Sequence, residues 1–174
     1  MIRKLMIAVA ATLALAACQP KSAADAGGQA QGPVVGDQSK EAKAFLAKNA
    51  KEPGVVTLPD GLQYKILHSG PATGNKPHAG DEVKVNYEGK LIDGTVFDSS
   101  YDRGQPAAMP LNGLVKAWQE IIPMMRPGDV WMLYVPPELG YGAEGQGPIP
   151  PGAALIFKIE LIDFLPGPGS VGNG

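Results

Sequence analysis

The 174-residue chain carries a formal net charge of -2 and only 6% aromatic residues, which suits one modest globular domain with tails rather than two full domains. No basic excess points to nucleic acid, and the charge balance is too mild to select an acidic or basic partner. Cys18 is the only cysteine, so the rest of the chain holds no cysteine nucleophile.

Residues 1–17 place Arg3 and Lys4 ahead of an apolar run from Leu5, an export signal too short to span a bilayer as a mature helix. Leu15-Ala16-Ala17-Cys18 resembles a bacterial lipobox, which implies that Cys18 becomes the acylated first residue of the mature protein. The alternative is an ordinary signal peptide cut near Ala17, with Cys18 incidental. Lipid on Cys18 anchors a chain to a membrane without a transmembrane helix. Gln19 is not the aspartate linked to inner-membrane retention, which favours the outer membrane of a Gram-negative host, with the domain in the periplasm or at the surface. Residues 18–38, rich in Ala, Gly, Gln, Ser and Pro, bury too little to fold and read as a flexible tether.

From Ser39, a serine N-cap and good helix formers predict a short helix stopped at Pro53-Gly54, with Phe45 and Leu46 as its apolar face. Residues 39–56 are thus a short helix and linker, docked or frayed. Leu62 to Leu67 alternates as a strand, and His68 to Gly80 is a Gly- and Pro-rich connection. His68 and His78 lack the companions a metal site needs, so solvated histidines and no metal are expected. Val83, Val85 and Tyr87 alternate with Lys84, Asn86 and Glu88 as a strand with one buried face. Asp93-Gly94 then predicts a hairpin that returns Val96 and Phe97 beside it. Asp98 follows Phe97 directly, so a bulge or strand end is needed for both side chains to reach one cavity.

Asn112 is a candidate cap for a helix carrying Leu114, Val115, Trp118, Ile121 and Ile122, ended by Pro123 after about two and a half turns. Arg126 to Asp129 reads as a turn, and Val130 to Val135 as a central strand. Pro136 to Gly152 is a loop holding Tyr141 and Ile149, and Ala153 to Leu165 is the clearest amphipathic strand. Residues 57–166 thus form the folded domain and 167–174 a disordered tail. The expected fold is α+β, an antiparallel half-barrel of about five strands around one short helix. It should open an apolar basin floored by Trp118, with Asp98 and Tyr141 at the rim. No serine nucleophile elbow is present.

The run from Tyr87 to Arg103, YEGKLIDGTVFDSSYDR, resembles the core signature of the FKBP family of peptidyl-prolyl cis-trans isomerases. Gly140-Tyr141-Gly142-Ala143 with Ile149-Pro150-Pro151-Gly152 resembles its second signature. The resemblance runs from about Thr57 to Leu165, and EAKAFLAKNAKEPGVVTLPDGLQYKIL resembles the stalk junction of the bacterial Mip-like branch. It implies the same half-barrel and an isomerase of X-Pro bonds in proline-containing polypeptides, with no cofactor and with macrolide inhibitors as a second ligand class. It assigns Asp98, Tyr141 and Phe97 to catalysis, and Tyr87, Arg103, Leu114, Val115, Trp118, Ile149 and Phe157 to substrate binding. Ala107, Met109 and Gln146 depart from the family pattern at the pocket edge. Mip-like relatives carry a longer helix and a dimerisation domain for which this chain lacks length, so a monomer is expected, against the alternative of a functional dimer stalk. A lipid-anchored binding module with little turnover and a structural lipoprotein with a vestigial site are the competing functions.

Overall fold

The computed structural model describes residues 36–167. The export signal, Cys18, most of the tether and the tail from residue 168 lie outside the described residues.

The first helix, α1 (Ser39–Asn49), is docked. Ala42 is buried, Asn49 Nδ2 donates to Gln63 Oε1 at 2.8 Å, and Gln63 Nε2 donates to the Leu46 carbonyl at 2.9 Å. The Leu46 carbonyl also accepts the Ala50 N–H at 2.9 Å, so Gln63 adds a second hydrogen bond at the end of the helix and ties it to β2. Ser39 is the first helical residue rather than the cap: Gln38 holds that position, and Asp37 Oδ1 accepts both the Ser39 N–H at 2.8 Å and its hydroxyl at 2.5 Å.

Among the described residues, seven strands form one antiparallel sheet: β1 (Val55–Thr57), β2 (Gln63–His68), β3 (Glu82–Leu91), β4 (Val96–Ser99), β5 (Ala107–Pro110), β6 (Val130–Val135) and β7 (Leu155–Leu165). The order is β1-β2-β6-β7-β3-β4, with β5 also on β3. The count exceeds the expected five for two reasons. The linker before Thr57 itself pairs, Val55 opposite Lys65. One flank of β3 is also shared by two short strands, β5 along Glu82 to Val85 and β4 along Glu88 to Lys90. Val83, Val85 and Tyr87 are buried as the alternation predicts, and Leu155, Phe157, Ile159 and Leu161 supply the facing row of β7.

Helix α2 is shorter than its sequence pattern suggests. It spans Lys116–Ile121 and runs on into a 3-10 turn, Ile122–Met124, in which Pro123 sits at the start. Asn112 does not cap it. Residues Leu111–Gly113 form a separate 3-10 turn, Val115 is the extended residue before α2, and Gln119 Nε2 donates to the Leu114 carbonyl at 2.6 Å. Ala117, Trp118 and Ile121 are buried against the sheet. His68 ends β2 rather than lying in the following loop, while the N–H of His78 donates to Asp81 Oδ2 at 2.7 Å. The first tail residue is tied down, the Gly167 N–H donating to Asp81 Oδ1 at 3.0 Å. No helix among the described residues is long and apolar enough to cross a membrane.

Candidate active site

The hairpin from β3 to β4 builds one wall. Gly94, with φ of 91°, takes the turn in a conformation that glycine adopts at little cost. Asp93 Oδ1 accepts the Thr95 N–H at 2.8 Å, and the Leu91 N–H donates to the Thr95 carbonyl at 2.9 Å. On the return, Gly89 pairs with Asp98 but Lys90 pairs with Val96, leaving Phe97 as an extra residue. This is the bulge that the adjacency of Phe97 and Asp98 requires, and both residues line one cavity.

That cavity is about 470 Å³, ordinary for a small-ligand site. Its floor is a chain of edge-to-face rings. Tyr87 meets Trp118 with centroids 5.1 Å apart at 84°, Trp118 meets Phe157 at 5.3 Å and 86°, and Phe157 meets Phe97 at 5.7 Å and 88°. Such crossed packing holds each ring in one orientation, worth about 0.5–1.5 kcal/mol per pair beyond burial. Leu114 and Val115, just before α2, and Tyr141, in the segment between β6 and β7, complete the lining. Three donors here have no acceptor among the described residues: the Trp118 indole N–H, buried with its ring 4% exposed, the Val115 backbone N–H and the Tyr141 hydroxyl.

The polar rim is a closed cluster. The Tyr87 hydroxyl donates to Asp98 Oδ2, Arg103 Nη1 donates to Asp98 Oδ1, and Arg103 Nη2 donates to the Tyr87 hydroxyl oxygen at 2.9 Å. The guanidinium carbon also lies 5.4 Å from the Tyr87 ring centre. Burial pushes the Asp98 carboxyl upward, but the hydrogen bonds from Tyr87 and Arg103 and the Arg103 charge outweigh it, holding Asp98 below the usual carboxylate range. Burial, reinforced by the hydrogen bond to Asp98, pushes the Tyr87 phenol up, while burial and then the Asp98 charge do the same for Tyr141. Asp98 is therefore a carboxylate and both phenols are neutral throughout the neutral range.

Two expected residues sit outside the cavity lining. Arg103 reaches the site only through Asp98 and Tyr87. Ile149 is 7% exposed within the core, and its backbone pairs with Gln146, so it supports the loop rather than walling the cavity. Met109 and Gln146, noted in the sequence only as departures from a pattern, line the cavity, whereas Ala107 does not.

Two further residues escaped the sequence reading. Ser100 is fully buried and fixes Tyr87: its N–H donates to the Tyr87 carbonyl at 2.9 Å and its Oγ accepts the Tyr87 N–H at 2.8 Å. Gly89 lies beneath the rings, where a Cβ would meet Phe97 Cε2, Phe97 Cζ and Phe157 Cε1, each at 2.7 Å. It lies within the Tyr87 to Arg103 signature, but its role comes from its place in the strand opposite Asp98.

Residues 73–162 match the family model described as FKBP-type peptidyl-prolyl cis-trans isomerase, and residues 6–66 match the domain amino-terminal to such isomerases. The chain is 55% identical over 125 residues to peptidyl-prolyl cis-trans isomerase Mip of Coxiella burnetii, covering 71% of this chain and 54% of that protein. It is 48% identical over 120 residues to outer membrane protein MIP of Legionella longbeachae, covering 68% and 51% respectively. The chain thus spans about half the length of these relatives. The crystal structure of FkpA from Escherichia coli superposes with a TM-score of 0.70 at 42% identity, over 74% of this chain and 60% of that one.

Proposed function

The chain belongs to the FKBP-type peptidyl-prolyl cis-trans isomerase family, and we propose that its cavity isomerises X-Pro bonds in exported polypeptides during their folding. The observation that carries this reading is the combination of an aromatic floor with three lining donors, the Trp118 indole N–H, the Val115 N–H and the Tyr141 hydroxyl, that have no acceptor among the described residues. Rotation about a prolyl amide crosses a barrier of about 18–20 kcal/mol because the twisted state loses C–N resonance. The planar amide carries more charge separation than the twisted one. Stripping water from its carbonyl in an apolar pocket therefore raises the planar form relative to the twisted form.

In this mechanism the pyrrolidine ring rests on Trp118 between Phe97 and Phe157. The Val115 N–H and the Tyr141 hydroxyl hold substrate carbonyls. The Asp98 carboxylate, kept ionised by Arg103 and Tyr87, faces the polar end of the twisted amide as a fixed charge. No proton changes hands and no cofactor takes part. Leu114 adds apolar wall, and Arg103 orients Asp98. A proline-peptide isomerisation assay on the full chain in detergent tests the reading: turnover supports it, and binding without turnover would favour the second reading, a binding module. Met109 standing where an aromatic is common in the family is the observation on that second side.

Tyr141→Phe should cost about tenfold or less in kcat/KM, the worth of one hydrogen bond of roughly 0.5–1.5 kcal/mol. Asp98→Asn should lower turnover without abolishing it. Complete loss in a folded Tyr141→Phe protein would point to general acid chemistry instead.

We further propose that Cys18 carries the lipid that anchors the domain, supported by the Leu15 to Cys18 motif and by the Legionella longbeachae relative, whose name, outer membrane protein MIP, puts that protein in the outer membrane. Cys18→Ala should move the protein from the membrane fraction to the soluble one, where it should sediment as a monomer, because α1 spends its apolar side on its own sheet, with Phe45 6.1 Å from Tyr134. Membrane retention with fatty-acid labelling would refute the anchor, and a stable dimer would refute the monomer.

A further inference from the structure

A second cavity, about 440 Å³, opens at the other end of the sheet and shares no lining residue with the first. Ile66 and Trp131, paired across β2 and β6, form one side; Met124 and Arg126, just beyond α2, form another; Pro71 and Lys76 come from the loop between β2 and β3. Its frame is built rather than incidental. Asp129, 7% exposed, accepts the Gly70 N–H on Oδ1 at 2.7 Å and the Arg126 N–H on Oδ2 at 2.8 Å, locking the loop to the turn before β6. The backbones approach so closely that a Cβ on Gly70 would meet the Pro127 carbonyl oxygen at 2.4 Å. Trp131 is held flat on Tyr64, centroids 4.8 Å apart at 15°.

Within this frame the hydrogen bonding does not close. The indole N–H of Trp131, whose side chain is only 5% exposed, and the buried Nε–H of Arg126 have no acceptor among the described residues. Neither the Arg126 guanidinium nor the Lys76 ammonium enters an ion pair or hydrogen bond among the described residues. Buried donors in folded proteins are nearly always satisfied, by the chain, by water or by a ligand, and two on residues lining one cavity offer an acceptor in that cavity two ready partners. The charges choose its kind. Lys76 and Arg126 against Asp129 leave one net positive charge on the lining, and Asp129 has both oxygens committed to backbone donors. That balance suits a monoanion, and the apolar side formed by Ile66, Pro71, Met124 and Trp131 suits a hydrophobic body attached to it. Arginine is the side chain best shaped to grip a carboxylate.

We propose that this cavity is a second binding site, for a carboxylate carried on an apolar group, such as the C-terminal carboxylate of a peptide ending in a large apolar residue. The site is independent of the isomerase reading, since none of its residues takes part in that chemistry.

The two tryptophans give two indole N–H signals in nitrogen-15 NMR of the full chain in detergent, assigned with Trp131→Phe, so each cavity has its own reporter. Titration with N-acetyl-phenylalanine is expected to move the Trp131 signal saturably, whereas N-acetyl-phenylalanine amide, the same body without the charge, leaves it in place. Arg126→Met and Lys76→Met are each expected to weaken the N-acetyl-phenylalanine titration by about tenfold, the loss of one charged contact. A Trp131 signal unmoved by the carboxylate, or moved equally by the amide, overturns the proposal, and so does an unchanged titration in both variants. The comparison of carboxylate with amide uses the unmodified chain, so poor folding of a variant does not blunt it.

Discussion

Trp118→Ala is expected to cut isomerisation of a proline peptide by about a hundredfold or more, the scale associated with losing positioning at a reacting centre. It should also cost about 3–5 kcal/mol of stability, as other buried large-to-small aromatic replacements do. Both effects come from the same geometry. The ring is 4% exposed, touches Tyr87 and Phe157 edge to face, and forms the floor between them. Its removal leaves a cavity in the core and unseats Phe157, one of the two rings proposed to flank the proline, together with Tyr87 of the rim. Urea unfolding read alongside the assay separates the two losses. A folded variant with wild-type turnover would show that the proline does not sit on this indole.

Gly89→Ala is the second large effect, and it comes from a single added methyl group. The Cβ would lie 2.7 Å from atoms of both Phe97 and Phe157, closer than real Cβ atoms come to their neighbours, so the rings must move. Overpacking of this kind costs about 1–3 kcal/mol. The rings it displaces are two walls of the cavity, so turnover should fall more than stability does. That distinguishes it from Leu133→Ala in the fully buried core, where stability should fall, by about 2–5 kcal/mol, and turnover of the folded protein should hold. Gly89→Ala with full turnover would mean that the positions of Phe97 and Phe157 do not matter to the reaction.

The parts of the site readable from sequence are those governed by short-range rules. Alternation put Val83, Val85 and Tyr87 on one face; Asp93-Gly94 gave the turn; and the adjacency of Phe97 and Asp98 demanded a bulge that the register of β3 and β4 contains. What escaped depends on long-range packing. Asn112 looked like a cap because it precedes an apolar pattern of helical spacing, but the first part of that pattern belongs to an extended segment, where Leu114 and Val115 line the cavity instead of a helix face. Ile149 carries a family signature yet spends its side chain in the core. Ser100 and Gly89 lie inside the Tyr87 to Arg103 stretch, but their roles come from β3 lying against β4 and β7, which the motif alone does not spell out. The strand count was low for a similar reason, since three-residue β1 becomes a strand only by pairing with β2.

The cluster of Tyr87, Asp98 and Arg103 also fixes how the site responds to pH. Asp98 has a folded-state pKa below its unfolded value, so its contribution to stability is present above the usual carboxylate range and is lost as pH falls through the depressed value, below about pH 4. Both phenols are shifted upward and stay protonated well above neutrality. Neither His68 nor His78 lines the cavity. No group lining it therefore changes charge in the neutral range.

The most direct measurement is the pH dependence of kcat/KM for a proline peptide, on the full chain and on Asp98→Asn, from about pH 6 to 8, the interval in which an ordinary histidine or a tuned catalytic acid titrates. Isomerisation by desolvation and twisting gives a flat profile for both proteins, with Asp98→Asn lower at every pH. A bell-shaped profile in the unmodified chain that disappears in Asp98→Asn would contradict it and make Asp98 a proton-transferring group.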